Sequence, residues 1–105
     1  MATEATIQTR IASSLSIIDT AIQILAQNVA AHDKDVRSKR FLVKYQMYRF
    51  VVAHPEPSLQ VKAVAFYHMA MMCHPKAEIE LPQKLCLELE ETCYSIKREI
   101  ESLTL

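Results

Sequence analysis

Hydrophobic residues recur along this chain at helical rather than strand spacing. Between residues 4 and 31, Ile7, Ile11, Leu15, Ile18, Ile22, Leu25 and Val29 follow one another at intervals of three or four, the two-per-heptad stripe of a packed or coiled helix. Thr3 suits the N-cap position, Glu4 suits the positive end of the helix dipole, and no proline interrupts the run. The pattern predicts one helix over 4–31, about 40 Å long at about 1.5 Å per residue.

The second periodic segment starts at Asp33, a residue suited to N-capping, and ends at 53, because the residue before Pro55 avoids helical backbone. Val36, Val43, Met47 and Phe50 fall within roughly 60° of one another on a wheel of about 100° per residue and predict the core stripe. The neighbouring arc carries Lys34, Arg37, Arg40 and Lys44 with Phe41, Tyr45 and Tyr48. A turn at His54-Pro55-Glu56-Pro57 precedes a third helix over 58–74, capped by Ser58 and stopped by Pro75. From Ala63 to Cys73 every residue except His68 is apolar, so this helix requires cover on several sides, from its own core or from another subunit. It is too short to span a membrane. A fourth helix over 82–103 repeats Leu85, Leu89, Cys93, Ile96, Ile100 and Leu103, with Glu88, Glu90, Glu91 and Glu101 opposite.

These segments predict an all-α fold: a helical bundle of about four helices in a single domain over 1–105, expected to be oligomeric, with coiled-coil contacts in a homodimer as the simplest form. The 105 residues contain no glycine at all. This absence removes the residue on which tight primed turns, phosphate loops and dinucleotide-binding turns depend, and it excludes the enzyme classes built on them.

Charge is balanced overall, twelve basic against twelve acidic residues, so no net field draws the chain to nucleic acid or to an anionic surface. The distribution is uneven, however, with a net +3 over 33–56 and −3 over 75–105. The basic stretch therefore has two readings, contact with phosphates or pairing with an acidic helix.

Cys73, Cys86 and Cys93 are an odd set without metal-type spacing. No secretory signal precedes them, and reduced thiols in an intracellular compartment follow, cytoplasmic by default, with mitochondrial or nuclear placement left open. Cys73, His74 and His68 lie close in sequence, but adjacent helical residues point about 100° apart, and free cysteine is usually a small core hydrophobe. No catalytic, cofactor-binding or metal-binding residues are assigned.

The expectation is a noncatalytic protein that acts through protein–protein interaction, as a self-associating or complex-embedded subunit or adaptor, without a small-molecule substrate or membrane span. Candidate interface residues are Ile11, Leu15, Ile18, Ile22, Leu25, Phe66, Met69 and Met72. The alternative is a dimeric protein that binds duplex RNA by shape, laying Lys34, Arg37, Arg40, Lys44 and Arg49 of the second helix on phosphates; the same five would meet an acidic protein partner.

Overall fold

A computed structural model describes residues 3–103. Four α-helices account for most of them: α1 (Glu4–Ala31), α2 (Val36–Ala53), α3 (Leu59–Met71) and α4 (Gln83–Leu103), with one 3-10 turn at Pro75–Ala77 between α3 and α4. Each helix packs mainly on two neighbours, α1 on α2 and α4, and α3 on α2 and α4. The result is a closed four-helix ring, 44 Å along its longest axis, set by the 28 residues of α1.

Polar side chains do the work at helix ends that glycine does elsewhere. Thr3 and Thr6 form a reciprocal capping box on α1, in which the Thr3 hydroxyl accepts from the Thr6 amide and the Thr6 hydroxyl accepts from the Thr3 amide. Helix α2 is capped by Asp35, two residues beyond the Asp33 that the sequence suggests, and its carboxylate accepts from the Ser38 amide at 2.9 Å. That bond holds the Asp35 carboxyl below the usual carboxylate range. Ser58 caps α3 by accepting from Val61. Helix α3 ends at Met71 rather than His74, because the residues before Pro75 leave the helix and His74 caps the 3-10 turn through Nδ1. Past that turn Glu78 stands in left-handed backbone at φ 58°, a position where glycine would be free of strain.

The core is one cluster. Helix α1 contributes Ile7, Ile11, Ile18, Ala21 and Leu25, with Ser14 also buried, so its seam runs 7, 11, 14, 18, 21, 25, a strict heptad row. Small side chains at 14 and 21 let the neighbouring helices approach closely. Leu15 and Ile22 flank this row, half-buried. Helix α4 contributes Leu89, Cys93, Ile96 and Ile100, as its spacing predicts, and α3 contributes Ala63, Ala65, Phe66, Met69 and Ala70.

Helix α2 departs from expectation. Its buried row is Ser38, Tyr45 and Val52, flanked by Phe41, Leu42 and Tyr48, and the expected core stripe Val36, Val43, Met47 and Phe50 faces outward. Both arcs of α2 are apolar enough to be buried, and packing chose the one with the larger rings and a usable hydroxyl. Tyr45 is fully buried and donates to the Met69 carbonyl at 2.8 Å, one of the carbonyls that the end of α3 leaves unpaired. No member of the Val-Met-Phe stripe offers a donor for that carbonyl.

Candidate interaction surfaces

The sequence-derived candidates separate into two groups. Ile11, Ile18, Leu25, Phe66, Met69 and Met72 are buried within the chain, and Leu15 and Ile22 pack on the same core. They hold the bundle together, and large apolar side chains open to solvent lie elsewhere. The principal set is the outer stripe of α2, where Val36 is 58% exposed, Val43 62%, Met47 50% and Phe50 66%. A second set, Val64 and Tyr67, lies between α3 and α4 over a groove of about 390 Å³ that the buried Ala63 and Ile100 also line, rimmed by Gln60, Lys97 and Glu101.

The cations of α2 also divide. Arg49 points toward α1, where its guanidinium donates to both carboxylate oxygens of Asp19, at 2.8 and 3.2 Å, and this pairing raises its pKa further. Arg37 reaches across to Glu78 at 2.6 Å. Lys34, Arg40 and Lys44 are exposed, as is Lys39, and none of these four has an acidic partner within 4.0 Å among the described residues. Within one chain the basic helix does not pair with the Glu-rich α4, since the two are not packed neighbours. The acids that meet its arginines come from α1 and from the linker before α4. Phe41, Tyr45 and Tyr48, which share the cationic arc in the sequence, are drawn inward with the core.

Aromatic groups form a chain of contacts from α2 across α3 to α4. Tyr48 stacks on His68 with ring centres 5.4 Å apart, His68 meets Tyr67 edge-on, Tyr67 meets Tyr94, and the Lys97 ammonium sits 5.5 Å from the Tyr67 ring centre. The Tyr94 hydroxyl donates to the Met71 sulfur at 3.0 Å. These contacts fix the rim of the α3–α4 groove, which the sequence signalled only as an apolar run.

The thiols lie inside. Cys73 and Cys93 are buried, and Cys86 is half-buried. Burial pushes the Cys73 and Cys93 thiols up to about 12 and raises Cys86 as well. The Tyr45 hydroxyl lies 3.2 Å from the Cys73 sulfur. Burial thus favours the protonated form of Cys73 and Cys93 at neutral pH. Among the described residues, no group of three or more His, Cys, Asp or Glu side chains is arranged to hold a metal ion. No helix of the described chain is long and apolar enough to cross a membrane.

Among the described residues, one charged side chain is buried without an ion pair. Lys62 of α3 is only 3% exposed, beside Gln8, Ala12, Leu15 and Pro55 at a cavity of about 270 Å³. No buried side-chain nitrogen or oxygen among the described residues lacks a partner. Its stem is therefore covered while the ammonium keeps contact with the cavity mouth.

The class defined by these features is a four-helix bundle with apolar surface left open on its outside. The chain matches no protein-family model, no curated protein and no solved structure.

Proposed function

We propose that this chain is a noncatalytic helical subunit or adaptor that works through protein–protein contact. One observation carries the reading: four large apolar side chains line the outward face of α2, on a helix whose other face already fills the core. Scattered exposed hydrophobics are ordinary, but a row along one helix marks a contact surface. The buried thiols are in keeping with it, because burial holds Cys73 and Cys93 protonated and denies these two side chains a nucleophilic thiolate. A cytoplasmic setting, where thiols remain reduced, suits three free cysteines.

Sedimentation across a concentration series, together with affinity purification from the native source with and without nuclease, tests this function. Self-association or a nuclease-resistant protein partner is expected. A chain that is strictly monomeric and recovers no protein would overturn the proposal.

A second reading, duplex RNA binding, draws on the exposed cations Lys34, Arg40 and Lys44. Arg49 and Arg37 are already paired with carboxylates, which leaves this surface fewer phosphate contacts than five cations would give. A gel-shift series with duplex RNA at rising salt decides it. Binding that ignores salt, or that survives Arg40→Glu with Lys44→Glu, rejects phosphate contact.

A further inference from the structure

We propose that the outer stripe of α2 docks an acidic amphipathic helix of a partner protein, with the partner's apolar face on Val43, Met47 and Phe50 and its carboxylates on Lys39, Arg40 and Lys44. This inference rests on the protein-contact reading above and names the chemistry of the partner.

The register supports a helix as the occupant. Val43, Met47 and Phe50 follow at 4 and 3, with Val36 one heptad before Val43, the a/d rhythm by which one helix seats its side chains in the gaps of another. Half or more of each apolar member is open to solvent, so the row is unoccupied by the chain's own helices. On the helical wheel Lys39 borders one side of the row and Lys44 the other, where the flanking g and e charges of a coiled pair would lie, and Arg40 stands at the edge of the row beside Lys44.

Charge identifies the sign of the partner. From Val36 to Pro55 there is no aspartate or glutamate, while five basic residues occur. Two of these are committed, Arg37 to Glu78 and Arg49 to Asp19, and the remaining three are the exposed borders. A second copy laid on the same stripe would bring these cations against their equivalents in either orientation. Phosphates would meet the borders but leave the hydrophobic centre wet or crushed between charges. An apolar helix edged with carboxylates satisfies both parts of the surface at once.

The test uses the full chain and two labelled synthetic peptides. Both have leucine at heptad a and d positions; one carries glutamate at e and g, the other lysine. Fluorescence anisotropy should show the glutamate peptide binding at least tenfold more tightly than the lysine peptide, and its binding should weaken severalfold as salt is raised. Val43→Ser with Met47→Ser should reduce that binding at least tenfold while circular dichroism and thermal unfolding stay unchanged, since both positions lie outside the core.

Equal binding of the two peptides, indifference to the double substitution, or no binding of either overturns the inference. A concentration-dependent dimer that the double substitution abolishes makes a second copy the occupant; it overturns the inference and leaves the protein-contact function standing. Duplex RNA or anionic phospholipid vesicles that bind through Val43 and Met47 overturn the inference. If affinity purification also recovers no protein partner, the protein-contact function falls as well.

Discussion

Helices α1 and α2 both carry apolar rows of heptad period, and the fold sends them in opposite directions. The row of α1 from Ile7 to Leu25 is closed off by α2 and α4, with Ser14 and Ala21 as the close-approach points. The row of α2 from Val36 to Phe50 lies on the outside, while a second, aromatic face of the same helix meets α1 and α3. Periodicity thus shows that a helix has a contact face without showing whose contact it is. What separates the two is competition: α1 has a single apolar face, and α2 has two.

Alkaline titration should break the core side of this comparison most severely. Cys73 and Cys93 have folded pKa values raised from 9.0 to about 12, so their contribution is complete below pH 9 and lost as pH rises toward 12. Cooperative unfolding in that interval, followed by circular dichroism, is expected. The paired substitutions Cys73→Val and Cys93→Val should flatten the slope, and an unchanged profile would show that the thiols do not drive it.

Truncation compares the two rows directly. Ile18→Ala, within the α1 seam, should cost about 3 kcal/mol in urea unfolding, whereas Val43→Ala on the outer row of α2 should change stability by less than about 0.5 kcal/mol. Similar losses at both positions would mean that the α2 stripe is covered in solution. Between these extremes, Tyr45→Phe should cost about 1–2 kcal/mol, because the Met69 carbonyl loses its donor in a buried setting. Lys62→Met reverses the sign: the stem is already covered and the ammonium has no ion pair to lose, so an apolar side chain of similar length should raise the melting temperature by about 4 °C, equivalent to about 1 kcal/mol for a domain of this size.

Much of the architecture is legible in the sequence. The bounds of α1 follow from Thr3 and the unbroken heptads, and the buried row of α4 from its leucines and isoleucines. The N-cap of α2 is displaced because Asp33 and Asp35 are equally suitable caps, and only the second lies three residues before the Ser38 amide that accepts the role of donor. The α2 surface is half legible. Its cations and its apolar stripe can both be found by spacing, but the stripe reads as core until Tyr45 is seen to pair with Met69. The commitment of Arg49 to Asp19 joins residues thirty positions apart, which no local pattern reveals.

The Tyr45 hydroxyl has a bearing beyond stability. By holding one face of α2 on the end of α3, it fixes the rotation of the helix about its own axis, and each residue of rotational slip would carry the opposite side through about 100°. The outer surface is thus specified from within. Substitutions at a position that touches no partner can turn the docking row away from it, so recognition and folding draw on the same interior contacts. Selection for binding would then act on a buried tyrosine as strongly as on the exposed valines.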